Sequence, residues 1–244
     1  MSYDVFAGYY DRLMSDCDYS ARADYLLGLF CEFDKKPDLL LDLCCGTGSL
    51  AIEFINRGCD VIAVDASPEM LNVASEKAKQ SGRELLCLCQ DATELDLFGT
   101  VQGAVCTLDS INHIIDEEDV RQVFEKVSLF LEPGCLFVFD VNSEYKHKCV
   151  LADNNFVIED EGVYCVWQNS ADGAYTDIFL DFFVKTDNGY DRYTEEFSER
   201  CYSDDELIEF GNNAGLRIEA VFDDMSKSSP KENTERKIFV MRKI

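Results

Sequence analysis

Four aspartates stand at or near the ends of four apolar runs, in an order suited to gripping one polar ligand. Asp42 lies within the run 39–43, two residues before a turn containing Gly46 and Gly48. Asp65 closes the run 61–64, Asp91 follows 85–88, and Asp109 follows 101–108. Open parallel sheets bind their ligands at the C-terminal edges of their strands, where a carboxylate such as Asp65 can hold a ribose diol. Asp42 would face a pyrophosphate unfavourably, but it suits a ligand bearing an ammonium and a sulfonium. His113, four residues beyond Asp109, is either a general base for a hydroxyl or amine, or a hydrogen-bonded residue beginning the next helix.

Positioning these groups takes a strand, a turn and a helix. The run 39–43 ends in the glycine turn, an amphipathic segment covers 49–57, Gly58 breaks it, and 61–64 supplies a second strand, which predicts a βαβ unit. Gly46-Thr47-Gly48-Ser49-Leu50-Ala51 matches the G-x-G-x-x-G/A pattern of dinucleotide enzymes, so the glycines alone leave two cofactor families open. Asp42 favours the one whose ligand is cationic, S-adenosylmethionine.

Here the chain resembles the class I S-adenosylmethionine-dependent methyltransferases. Their first motif, an acidic residue followed by alternating glycines, corresponds to Asp42-Leu43-Cys44-Cys45-Gly46-Thr47-Gly48, with Cys44 where the family has its first glycine. Ala66-Ser67-Pro68-Glu69-Met70-Leu71 resembles the second motif, Ser67 capping a helix that Pro68 starts. Gln90-Asp91-Ala92 resembles the acidic loop, and Leu108-Asp109 stands where the family lines the pocket beside the reactive methyl. The segment 6–14, FAGYYDRLM, resembles an opening shared by small-molecule members, in which Tyr10 covers the cofactor; Tyr19 is a second lid candidate, or packing. The resemblance implies cofactor contacts from Tyr10, Asp42, Cys44, Gly46, Gly48, Asp65, Ala66, Met70, Asp91, Ala92, Leu108 and Asp109. Met70 would lie near the adenine, and Asp91 would accept from its amino group. The implied activity is methyl transfer by in-line displacement to an amine or hydroxyl of a small molecule, with His113 the catalytic candidate. Action on RNA or protein, or cofactor binding without catalysis, are the alternatives.

The predicted fold is α/β: a Rossmann-like seven-stranded sheet with helices on both faces and an inserted antiparallel β-sheet subdomain. Residues 1–36 form a helical lid ended by Lys35-Lys36-Pro37, 37–147 with 203–244 the cofactor-binding core, and 148–202 the insertion covering the substrate. From 156 to 202 apolar and polar residues alternate between turn signals at Glu161-Gly162, Asp172-Gly173 and Asn188-Gly189, giving about four strands. That insertion resembles the one in bacterial enzymes that N-methylate nucleotide-linked amino sugars. Its aromatics, Tyr164, Trp167, Tyr175, Phe179 and Tyr193, are pocket walls or sheet core. Ser203 with Glu206 caps the next helix.

Composition narrows the partners. A net charge of −26 repels polyanions and disfavours nucleic acid, leaving a small-molecule methyl acceptor, unless a local patch drawn from Lys146, Lys148, Lys185, Arg192 and Arg200 reverses the field. Twelve cysteines scattered through apolar segments without C-x-x-C spacing predict mostly buried thiols and no metal. The start, Met1-Ser2-Tyr3-Asp4, lacks a signal pattern and no run approaches a membrane span, so the expected setting is cytoplasmic, as monomer or homodimer. His147, among lysines, is expected to be exposed and without a role.

Overall fold

The computed structural model describes residues 4–14, 16–33, 36–160 and 162–244, without the side chains of 4–6. The chain start at 1–3, Lys35 and Glu161 of the first insertion turn lie outside them.

The βαβ unit forms where the sequence puts it. Strand β1 (Leu39–Leu43) runs parallel to β2 (Asp60–Asp65), with Asp42 opposite Ala63, and helix α3 (Ser49–Asn56) joins them. Gly48 enters α3 with φ 70°, and a Cβ there would lie 2.7 Å from that of Ala74 in α4 (Pro68–Gln80). Both the left-handed backbone and the close helix approach therefore require glycine. Helix α4 begins as expected: Ser67 accepts from the Met70 N–H at 3.2 Å and Pro68 occupies its first turn.

Strands β3 (Leu86–Cys89), β4 (Val101–Cys106), β5 (Leu131–Asn142), β10 (Leu216–Asp223) and β11 (Arg236–Lys243) complete a seven-stranded sheet in the order β10-β11-β5-β4-β1-β2-β3. The last strand, β11, is antiparallel to both neighbours. Successive residues of the central strands face opposite layers. Leu41, Phe137, Phe139 and Phe239 pack with α5 (Glu117–Phe130) and α6 (Asp204–Asn213), while Leu40, Val105, Val138 and Val240 pack with α2 (Tyr19–Phe33) and α3. With both faces covered, the strands read as continuous apolar runs.

Several boundaries differ from the sequence reading. Strand β3 starts one residue later than expected. Strand β4 stops at Cys106 because Leu108 and Asp109 both turn left-handed, φ 58°. Strand β5, expected over 136–141 behind a Pro133-Gly134 turn, starts at Leu131, and Pro133-Gly134 form an irregularity within it, where the pairing with β4 shifts register.

Strands β6 (Asn155–Asp160), β7 (Val163–Asp172), β8 (Tyr175–Thr186) and β9 (Gly189–Arg200) form the separate antiparallel meander. Its inner face, with Cys165, Ile178, Leu180 and Phe182, packs on Ala7 of α1 (Asp4–Leu13) and on Met70. Pairing parity puts Trp167 and Tyr193 on that face and Tyr164, Tyr175 and Phe179 on the opposite one, so these three cannot wall a pocket beneath the sheet.

The expectation of mostly buried thiols fails. Cys59, Cys106, Cys135 and Cys165 are buried, Cys31, Cys89 and Cys149 are exposed, and five others are intermediate. Cys87 and Cys89 illustrate the reason: β3 is a sheet edge and covers neither side chain fully. No helix among the described residues is long and apolar enough to cross a membrane.

Candidate active site

The glycine turn, the end of β4 and the start of α2 enclose one cleft. Tyr10, Asp42, Cys44, Gly46 and Leu108 of the predicted residues line it, together with Tyr19, Thr47 and Ser110. Asp42 is 2% exposed, and its Oδ2 has no hydrogen-bond partner among the described residues; the Tyr19 hydroxyl is buried in the same condition. Burial, and then the charge of Asp65, push the Asp42 carboxyl up to about 7. An orphaned carboxylate at the base of a cleft fits a cationic ligand, which would satisfy both its lone pairs and its charge. Cys44, with φ 57°, adopts the backbone that glycine would take there at lower cost.

The remaining predicted residues do not line this cleft. Asp65 is half-buried and accepts from the Gly46 N–H at 2.8 Å and the Ser67 N–H at 2.9 Å. Its carboxyl is raised by burial, against these backbone bonds. Ala66 is exposed beside it, whereas Met70 is buried in the cluster under the meander. Asp91 is exposed and caps a 3-10 turn through the Thr93 N–H at 2.9 Å, with Ala92 buried next to it. Gly48 backs onto Ala74 rather than lining the cleft.

Beyond Leu108 the cleft gives way to a dense polar cluster. The Leu108 and Asp109 N–H groups donate to the carboxylate of Asp140 at 2.9 and 2.7 Å, and Arg236 bridges Asp140 and Asp109, reaching the latter at 2.5 Å. Asn142 donates to both Asp109, at 3.1 Å, and Glu199, at 3.0 Å. His113 Nε2 lies 4.0 Å from Asp109 and 3.9 Å from Glu199, its ring against Phe197. The two carboxyls are driven apart. Burial opposes the charge on Asp109, but Arg236, Lys146 and His113 outweigh it and hold that carboxyl below its usual range. Burial, and then Asp109, push Glu199 up. Such a pair offers one carboxylate and one group able to keep a proton.

His147 is buried, contrary to the expectation of an exposed residue. It is 4% exposed in a π-helical turn (Lys146–Leu151), with Nδ1 3.1 Å from the Thr176 hydroxyl, and burial followed by Lys146 pushes it down to about 4. The turn folds it under β8, which no local pattern announces. Of the basic candidates, Lys148 pairs with Glu144, Arg192 with Asp181, and Arg200 with Glu206, while Lys185 is exposed. Lys146 alone of the five lines a polar cavity of about 400 Å³, shared with Lys231 and Arg236. Glu199, Asp140 and Arg236 escaped the sequence reading. The available signal for Glu199 was strand parity, which gives it the inner face two residues from Phe197.

A family profile described as a methyltransferase domain matches residues 40–134. YqeM of Bacillus subtilis (strain 168), a methyltransferase by name, is 32% identical over 246 residues, covering 100% of this chain and 98% of its own. The crystal structure of an S-adenosylmethionine-dependent methyltransferase from Clostridium acetobutylicum ATCC 824 matches with a TM-score of 0.90 at 33% identity, over 100% of this chain and 99% of its own. The sugar N-methyltransferase KedS8 from Streptoalloteichus sp. ATCC 53650 matches with a TM-score of 0.80 over 100% and 93%, at 19% identity, a likeness of fold alone.

Proposed function

The chain belongs to the S-adenosylmethionine-dependent methyltransferases, and from that premise we propose that its acceptor is a small molecule, methylated on an amine or a hydroxyl. The observation that carries this reading is the adjacency of the orphaned Asp42 carboxylate, under Tyr10 and Tyr19, to the cluster of Asp109, His113 and Glu199, with Leu108 lining the cleft between them. Asp42 faces the cofactor's cationic end and Asp65 shares its ribose. Ala66, Met70, Asp91 and Ala92 would take the adenine, and Cys44 and Gly46 would let the backbone approach, while Gly48 holds the turn against α4. When bound, S-adenosylmethionine supplies an electrophilic methyl group on a sulfonium. The protein's part is to align the acceptor opposite the departing sulfur and keep water out, which Tyr10, Phe197 and the meander's inner face are placed to do. A hydroxyl acceptor gives its proton to His113, whereas an amine needs only to arrive unprotonated.

The charge of −26 supports a small neutral or cationic acceptor over RNA, and KedS8, of the same fold, acts on a sugar nitrogen by its name. The same reading makes the protein a cytoplasmic monomer or homodimer. Calorimetric titration with S-adenosylmethionine, S-adenosylhomocysteine and NAD tests the cofactor site. Binding of the first two at about micromolar Kd, lost in Asp65→Ala, is expected. A methyl-acceptor screen then tests the rest: transfer only to RNA or protein fractions would sink the small-molecule proposal.

Helix α1 is latched over the glycine turn by Asp11, which accepts from the Thr47 hydroxyl at 2.7 Å and pairs with Lys77 at 2.5 Å. Lys77 in turn reaches the Thr47 and Ser49 hydroxyls at 2.9 and 2.7 Å. Losing a charge-assisted bond of about 1.5–3 kcal/mol should loosen the lid. Asp11→Ala is therefore expected to raise the Kd for S-adenosylmethionine about tenfold or more, measured by the same titration, while leaving Tm within a few degrees.

A further inference from the structure

We propose that Asp109, His113 and Glu199 form a binding site for one hard divalent cation of the Mn²⁺ or Mg²⁺ type, on the acceptor side of the cleft. One ligand atom from each of the three residues lies within 4.8 Å of the others. Asp109 and His113 flank the short turn after β4, whereas Glu199 comes from β9, so the docking of the meander on the core assembles the set. A bound cation needs donors about 2.1–2.3 Å from it, hence roughly 3 Å from one another. The set is looser than that: His113 Nε2 stands 3.9 and 4.0 Å from the two carboxylates and no pair exceeds 4.8 Å, so exposed His113 and the carboxylates must close by about 1–2 Å around a cation.

A second observation points to a ligand. Glu199 is 3% exposed, and its Oε2 takes the Asn142 amide, yet Oε1, the oxygen facing His113, accepts no hydrogen bond among the described residues. One oxygen of a largely buried carboxylate is thereby left open toward His113, and a cation would fill that place. The supporting shell is already in place. Asn142 bonds both carboxylates, Arg236 fixes the other oxygen of Asp109, and the Asn112 Oδ1 accepts the Asn142 N–H at 2.8 Å. Two carboxylate oxygens and one imidazole suit Mn²⁺ or Mg²⁺ better than a soft metal, and three protein ligands leave positions open for water and an acceptor oxygen. Lys146 and Arg236 supply competing positive charge, so affinity should be moderate. The site's place beside the acceptor rests on the methyltransferase reading, but cation binding itself does not; a cation on His113 Nε2 takes the lone pair that a general base needs, so the two roles are alternatives at that nitrogen.

Chelator-treated full-length protein is titrated with MnCl₂, free Mn²⁺ being read by electron paramagnetic resonance. The expected result is one site per chain with a Kd of about 1–100 µM, competed by Mg²⁺. Glu199→Gln and His113→Ala should each weaken it at least about tenfold, while Glu84→Gln, an exposed acid elsewhere, leaves it unchanged. Melting curves establish that the variants fold, and His113→Ala carries the test should Glu199→Gln not. Only weak, multiple sites, or binding indifferent to Glu199 and His113, would show adsorption to the acidic surface and overturn the proposal. S-adenosylmethionine titration of the same metal-free sample separates the two readings, since loss of Mn²⁺ binding alone defeats only the cation site.

Discussion

Asp42→Asn is expected to stabilise the ligand-free protein at alkaline pH while weakening its hold on S-adenosylmethionine. Both effects come from one buried charge. The folded-state carboxyl titrates at about 7, against an ordinary value of 3.8, so folding takes up a proton between these values. Stability therefore falls as pH rises from about 4 to 7 and stays low above. The gap corresponds to an upper figure of about 4 kcal/mol, and at roughly 2–4 °C per kcal/mol for a chain of this size the variant should melt several degrees higher at pH 8. The advantage should be nearly gone by about pH 4, close to the ordinary carboxyl value, where the unfolded wild-type chain also takes up the proton. Binding moves the other way. The cofactor's ammonium and sulfonium favour ionised Asp42, so wild-type affinity should climb through pH 7 and the variant's should not, leaving it about 10–100-fold weaker at pH 8. Melting curves at pH 4 and 8, with calorimetry at 6 and 8, decide the matter. A variant no more stable than wild type at pH 8 would mean that Asp42 is not paying for its burial.

Asp42 was legible because everything that places it is local. A strand, a glycine turn and a capped helix fall within thirty residues, and each obeys a rule of spacing. The same holds for the Ser203 and Glu206 capping box, which forms as read, and for the meander, where the signals at Asp172-Gly173 and Asn188-Gly189 mark the strand ends. The polar cluster was half legible. Asp109 and His113 belong to one short segment, but Glu199 joins them from 86 positions away through strand parity, and the partner that fixes Asp109, Arg236, arrives on the last strand. The burial of His147 depends on a π-helical turn and on Thr176 across the chain. The early end of β4 had no signal of its own either, because two consecutive left-handed non-glycine residues are stable only where something else holds them.

That holder is Asp140, and removing it should be the most damaging single change in the protein. Asp140 is fully buried and accepts from the Leu108 and Asp109 N–H groups while pairing with Arg236, and with Arg22 at 3.6 Å. Asp140→Ala leaves Arg236 with Asp109, and Arg22 with Asp224, as the one paired carboxylate each among the described residues, and strips two backbone donors of their acceptors. Breaking a buried ion pair by deleting one partner costs about 3–5 kcal/mol, so Tm should drop by roughly 10 °C or more. The strained turn would also relax, moving Leu108 away from the cleft and Asp109 away from His113, so cofactor affinity and turnover should fall together. The cause is separable from simple cavity formation. If the stranded charge dominates, Asp140→Ala combined with Arg236→Met should be less destabilised than the sum of the two single variants, a coupling of about 1–3 kcal/mol. Additive losses in denaturant unfolding would instead assign the damage to the orphaned N–H groups and the released turn.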